Sequence, residues 1–242
     1  MTEAPARPIL DCDLLVGRDI ATARRVRPDE LAATLAGVGI GGGLVGSLRA
    51  LLFDAPSGND EAAAAAADHG WWAAAGVDLR DPLTAVAEVE RAAAAGVRAI
   101  RLAPGRQEVP ATVPGLRAVV AAAVGHGLLV LTEGDARLVG SALRGLGARV
   151  VFLDAHFYHL GDFVLLAREE PGYHASTRLL GNPDGWERLT GEVGAERLVF
   201  GSRPGWFEAS AVLARMDTAR LTASELDLVA GENLRQLLEV AS

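Results

Sequence analysis

Along this chain a helical stretch ends at a glycine and a short apolar run follows within a few residues, seven times over. The glycines are Gly39, Gly70, Gly96, Gly127, Gly147, Gly172 and Gly194. Glycine takes the left-handed turn after a helix at least cost, so each reads as a helix stop. With one more run near the N-terminus, the pattern predicts eight strands at residues 9–16, 44–51, 71–77, 97–102, 128–131, 150–153, 173–177 and 197–201. Residues 28–36, 60–69, 82–95, 114–124 and 135–146 carry helical patterns, three of them with proline in the first turn, after Arg27, Asp81 and Val113. Eight alternating β and α units imply a parallel sheet, and eight favour closure into a (β/α)8 TIM barrel over an open sheet of about five or six strands. The 242 residues match the ~250 typical of that barrel, which predicts one domain spanning residues 1–242.

One glycine motif invites a different reading. GVGIGG at residues 37–42 matches the dinucleotide-binding fingerprint, but that fingerprint must follow a strand and open a helix. Here it follows a helical pattern and precedes a strand, so helix termination is the better account. The alanine-rich segments are helix formers and not linkers.

Composition narrows the chemistry. All 23 basic residues are arginine, which removes Schiff-base lysines, a pyridoxal phosphate anchor, the P-loop lysine and a carboxylated lysine bridging two metals. The net charge of -8 and the lack of a basic run argue against nucleic acid as a partner. Cys12 is the one cysteine, so an intrachain disulfide is excluded. No segment reaches the ~18 apolar residues of a membrane span, and no secretory signal pattern precedes the first strand, so a cytoplasmic protein without a membrane partner is expected. Association into a homo-oligomer stays open.

In a barrel of this kind the reacting groups sit at the C-terminal ends of the strands. Strand alternation places Asp11, Asp13 and Leu15 on one face of the first strand, with Cys12 and Leu14 on the other. If the parities hold, Asp11, Asp13, Arg101, Asp154, His156 and Arg203 share one volume, and Arg49 joins from the second strand. His174 and Arg178 share a face of the seventh strand whose direction stays open. His69 and His126, each before a helix-ending glycine, read as structural.

The residues GAERLVFGSRPGW at 194–206 resemble the eighth strand of the amidohydrolase-related (type 2) TIM-barrel metal-dependent hydrolases and decarboxylases, roughly GaeRllfGSDyP. ILDCDLLVG, GVRAIRLAPG, VVFLDAHF and AGENLRQLL follow in the order and spacing of that family's other strand and helix motifs. The resemblance implies a metal-dependent hydrolase-like barrel that attacks an amide, ester or lactone with water, or decarboxylates, at one divalent metal. Carried over position by position, the family's two strand-one histidines fall on Asp13 and Leu15, the strand-five histidine on Thr132, the strand-six histidine on His156, and the strand-eight aspartate on Arg203. Leucine cannot ligate, and arginine offers a fixed positive charge and no lone pair.

The resulting expectation is a diverged member that has lost the metal site, uses no cofactor, and takes a small anionic molecule as ligand. Asp13 and His156 would serve as acid and base, with Arg203 and either Arg101 or Arg49 as clamps; Asp11, Glu133 and Trp206 would line the site. Two alternatives stand beside it. One is a non-catalytic barrel that binds a ligand or partner, its mouth filled by ion pairs. The other is a hydrolase or decarboxylase with a divalent metal such as zinc on substituted ligands drawn from Asp11, Asp13, His156 and Glu133.

Overall fold

A computed structural model describes residues 8–239. Nine strands form one sheet. β1 (Ile9–Arg18) carries the short antiparallel β2 (Arg25–Val26) on its outer end; the parallel series then runs through β3 (Ile40–Ser47), β4 (Trp72–Gly76), β5 (Ala99–Leu102), β6 (Leu129–Thr132), β7 (Val150–Phe152), β8 (Tyr173–Ser176) and β9 (Leu198–Val199). The Cys12 N–H donates to the Phe200 carbonyl at 2.9 Å, joining the segment after β9 to β1 and closing the barrel.

The helices lie where a parallel sheet needs crossovers: α1 (Pro28–Gly37), α2 (Leu48–Leu52), α3 (Ala55–His69), α4 (Pro82–Ala94), α5 (Pro114–Gly125), α6 (Ala136–Leu143), α7 (Leu160–Glu169) and α8 (Gly185–Val193). Past β9 come α9 (Ala209–Asp217), α10 (Ala223–Asp227) and α11 (Asn233–Glu239). The predicted prolines occupy the first turns of α1, α4 and α5, where the missing N–H costs nothing. Among the described residues no helix is long and apolar enough to cross a membrane.

Two apolar layers follow from strand alternation. Leu14, Val16, Val45, Ile100, Val130, Val150 and Phe152 face the helices. Leu10, Cys12, Leu44, Ala74, Ala99, Leu129, Leu131 and Val151 fill the barrel interior, and α11 adds Leu234, Leu237 and Leu238 to that layer. One pleat further along two of these strands, at Arg101 and Glu133, the interior turns from apolar to charged. That change of composition marks the mouth.

Two predicted elements shift. β3 begins at Ile40, four residues before the expected start, and residues 48–51, expected to be strand, belong to helix α2. The glycines at 41–43 are thus part of the strand, and Gly43 is required there: a Cβ would stand 1.9 Å from the Asp11 carbonyl oxygen of β1. Ser47 ends the strand by capping α2, its side chain accepting from the Arg49 N–H at 3.0 Å. The second correction concerns β1. Its register against β3 advances three residues, Asp11 to Leu14, against two, Gly43 to Val45, which is a bulge. Cys12 therefore joins the interior layer, contrary to simple alternation, and Asp11 no longer shares a direction with Asp13.

Candidate functional site

Asp13 stands at the centre of the mouth and is fully buried. It accepts from Arg101 Nη2 at 2.7 Å, Arg178 Nε at 3.0 Å, and Arg203 Nε at 3.0 and 3.1 Å. Glu133, just past β6, accepts from Arg101 Nη2 at 2.7 Å and Arg106 Nε at 2.8 Å, and lies 3.3 Å from Arg203 Nη2. Arg106 also donates to Asp19 at 3.1 Å, and Arg178 to Asp154, whose other oxygen accepts the Gly134 N–H at 2.7 Å. Four arginines and four carboxylates thus form one neutral network. Asp13 and Glu133 are desolvated by burial, which opposes ionisation, yet the guanidiniums around them, Arg203 foremost, outweigh it and hold both below the usual carboxylate range.

Arg203 is the unusual member. It is 4% exposed, and its backbone is left-handed at φ 49°, a region that residues other than glycine seldom occupy. Its carbonyl accepts from the Trp206 and Phe207 N–H groups at 3.2 and 3.1 Å, which fixes the turn. Its Nη2, like Arg101 Nη1, is buried without a hydrogen-bond partner.

A cavity of about 680 Å³ opens above this network, lined by Arg106, Glu133, Asp154, Arg178 and Arg203 on its charged side and by His156, Tyr158, His159, Phe163 and Phe207 on its aromatic side. Phe207 lies under the Arg178 guanidinium, 4.6 Å from ring centroid to carbon. His156 stacks on Tyr158 with centroids 4.9 Å apart, and its Nδ1 accepts the Tyr158 N–H at 3.3 Å. That bond makes Nε2 the protonated nitrogen of the neutral ring.

The residues expected from sequence divide accordingly. Asp13, Arg101, Glu133 and Arg203 meet, and His156 lines the cavity. Asp13 is not a free acid or base, because both of its oxygens are held by guanidiniums and it does not line the cavity. Asp11 stands apart behind the bulge: it accepts from the Asp13 N–H at 2.7 Å and from the Ser202 N–H and hydroxyl. Burial pushes its carboxyl up to about 6, against the pull of Ser202.

Arg49 is absent from this site because α2 begins one residue before it and turns it to another concavity. Trp206 packs with Leu15, Leu48, Leu51 and Ala103 and does not line the cavity; its neighbour Phe207 does. Thr132 donates to the Glu133 carbonyl, and the inward residue at the end of β6 is Glu133. Arg178 and Arg106 went unselected by sequence. Arg178 shares strand parity with His174, a signal that could not give its direction, and Arg106 sits in a loop with no periodicity to place it. His174 lies against the Gly172 carbonyl, at 2.9 Å, and burial lowers it to about 4, so it is a packed core histidine. His69 is structural as expected, stacked on Trp71 at 4.7 Å.

The sequence matches no protein-family model and no curated protein. Solved structures do share the fold. A 2,6-dihydroxybenzoate decarboxylase complexed with 2,6-dihydroxybenzoate superposes with a TM-score of 0.79 at 11% identity, covering 98% of this chain and 100% of its own. A TIM-barrel protein of Bordetella bronchiseptica gives 0.78 at 15% identity, over 96% of this chain and 98% of its own. The dihydroxybenzoic acid decarboxylase of Polaromonas sp. JS666, with bound manganese and the inhibitor 2-nitroresorcinol, gives 0.76 at 11% identity, over 98% of each chain. The chain thus shares the TIM-barrel fold of these decarboxylases, the fold that the resemblance implied.

The comparison corrects the expectation of no cofactor: solved structures of this fold carry manganese, so the fold points to a metal and not to none. The side chains of this chain are a separate matter. Among the described residues no three His, Cys, Asp or Glu side chains stand close enough to share an ion, which includes the set Asp11, Asp13, His156 and Glu133. At the mouth the oxygens of Asp13 and Glu133 are taken by guanidiniums, and Leu15 offers no donor. The described residues as they stand do not fit the metal.

Proposed function

We propose that this barrel binds a small aromatic carboxylate in the cavity above the arginine network, as a diverged relative of the decarboxylases that share its fold. The observation that carries this reading is Arg203, a buried cation held in a left-handed backbone at the cavity floor, whose Nη2 makes no hydrogen bond and only a 3.3 Å ion contact with Glu133. A carboxylate oxygen is the acceptor that such an N–H lacks, and a guanidinium matches a carboxylate in plane and in charge. Phe207, Tyr158 and Phe163 supply the apolar walls that a flat ring needs. His156 is the group placed to move a proton on the bound ligand, through Nε2, since its Nδ1 is already engaged. Asp154, its side chain 26% exposed, lines the same cavity and is a carboxylate with access to solvent.

One observation favours a second reading, a ligand-binding barrel without turnover. Asp13 and Glu133, buried where acid or base groups would act, are both held ionised by arginines and are unavailable for proton transfer.

Calorimetric titration with 2,6-dihydroxybenzoate, with and without added Mn²⁺, tests the binding. Arg203→Met should weaken it by at least about tenfold, the loss of one hydrogen bond to a charged group. Phe207→Ala, which removes no hydrogen bond or ion pair of the network, should weaken it as well. Binding that ignores both substitutions, or that needs Mn²⁺ and not Arg203, overturns the proposal. Product analysis after long incubation, wild type against His156→Gln, separates turnover from binding alone.

A further inference from the structure

A second concavity, of about 750 Å³, opens where β1, β2, α2 and the start of α3 meet, and it shares no lining residue with the first. Three arginines line it: Arg18 at the end of β1, Arg25 at the start of β2, and Arg49 in α2. Phe53 lies among them, 60% exposed. Elsewhere in the chain most arginines are tied down, as Arg91 is to Glu88, Arg137 to Asp135, and Arg24 to the Gly205 carbonyl. Among the described residues Arg18, Arg25 and Arg49 have no side-chain hydrogen bond and no ion pair.

The acids nearby do not explain the arrangement. Asp54 and Glu61 line the same concavity, yet Asp54 accepts from the Ser57 hydroxyl and Glu61 from the Ser47 hydroxyl at 2.7 Å. Neither makes an ion pair with the three guanidiniums. In a chain of net charge -8, three guanidiniums without an ion pair gather on one concave wall that holds two carboxylates, which leaves the wall with an excess of positive charge. The hairpin of β1 and β2 holds the arrangement in place: Asp19, next to Arg18, is fixed on the opposite side through Arg106, so Arg18 and Arg25 flank a braced turn.

We infer that this concavity is a binding site for a small, multiply charged oxyanion of the phosphate-monoester class, its organic part flat enough to lie on Phe53. Three guanidiniums carry more positive charge than one carboxylate neutralises, even where, as at Asp13, a single carboxylate accepts from three of them. A phosphate monoester carries about -1.5 to -2 charge near pH 7 and three acceptor oxygens, which matches three donors. The exposed phenyl ring beside them gives a face for an aromatic or sugar-like group that a free inorganic anion would not need.

Phenyl phosphate, inorganic phosphate and benzoate are the probes, titrated calorimetrically at low ionic strength. Phenyl phosphate should bind the wild type more tightly than benzoate does, and Arg18→Gln with Arg49→Gln together should weaken it by at least about tenfold. Phe53→Ala should weaken phenyl phosphate while leaving inorganic phosphate unchanged. Phe207→Ala, in the first cavity, should leave phenyl phosphate unchanged. These arginines are exposed and unpaired, so the melting temperature without ligand should not move in the variants. Phenyl phosphate that fails to bind at millimolar concentration, that in the Phe207→Ala variant binds no better than benzoate, or that responds to Phe207→Ala and not to the arginine pair, overturns the assignment.

Discussion

Replacing Asp13 by asparagine probes the centre of the network without changing its volume. The carboxylate accepts from three guanidiniums and is 0% exposed, so water cannot replace it. Asparagine keeps one acceptor oxygen, turns an amide NH₂ toward an arginine, and leaves Arg101, Arg178 and Arg203 facing only Glu133 and Asp154. Three charge-assisted hydrogen bonds at about 1.5–3 kcal/mol each set an upper bound. The retained oxygen lowers it, and removal of one partner from a buried ion pair costs about 3–5 kcal/mol, which is the loss expected here. Asp154→Asn is the control: its side chain is 26% exposed and its partner Arg178 also holds the Leu153 carbonyl, so a loss of about 1 kcal/mol is expected.

Urea unfolding at pH 7, followed by the fluorescence of buried Trp186, measures both. Because Asp13 is held below its unfolded value, its contribution is present above about pH 4 and is lost as pH falls through the folded value, so the gap between wild type and Asp13→Asn should narrow in acid. A loss under about 1 kcal/mol for Asp13→Asn, or one equal to that of Asp154→Asn, would refute the view that this network holds the mouth together.

Asp11 should show the opposite pH dependence. Its carboxyl titrates near 3.8 unfolded and about 6 folded, so the folded chain holds the extra proton between those values and stability falls as pH rises through them. Asp11→Asn removes that component, and its stability relative to wild type should improve by up to about 3 kcal/mol between pH 4 and pH 8; a difference independent of pH in denaturant titrations would contradict this. Gly43→Ala should destabilise by roughly 3 kcal/mol or more, since its Cβ meets the backbone of β1 at 1.9 Å and neither strand can move aside. Gly191→Ala, inside α8 with nothing within 4 Å, should instead stabilise by about 0.5–1 kcal/mol, and thermal melts of the pair check both signs.

The barrel was legible because its signals are local and repeated. Glycine stops, proline starts and apolar runs depend on backbone geometry that each segment expresses alone, and eight apolar runs, seven of them after a glycine, leave little choice of fold. The departures at Leu15 and Arg203 were legible for the same reason, since residue chemistry at a motif position needs no coordinates. Charge at the mouth was half legible: Asp13, Arg101 and Arg203, which strand parity put in one volume, do meet, whereas Asp11 of that set stands apart and Glu133, which parity did not place, joins them.

What parity could not carry was decided by tertiary packing. The close approach of β3 to β1 at Gly43 accompanies the bulge that separates Asp11 from Asp13, and a bulge changes every direction beyond it. The capping of α2 by Ser47 moved Arg49 from the first cavity to the second. The turn at Arg203 placed Phe207 and not Trp206 on the cavity wall. Arg178 and Arg106 lie far from Asp13 and Glu133 in sequence, and only closure of the barrel brings them together. The sequence by itself determined the barrel and the types of residue at its mouth. The partners of each charge, and hence which groups remain free to meet a ligand, were set by single-residue offsets that only the folded barrel resolves.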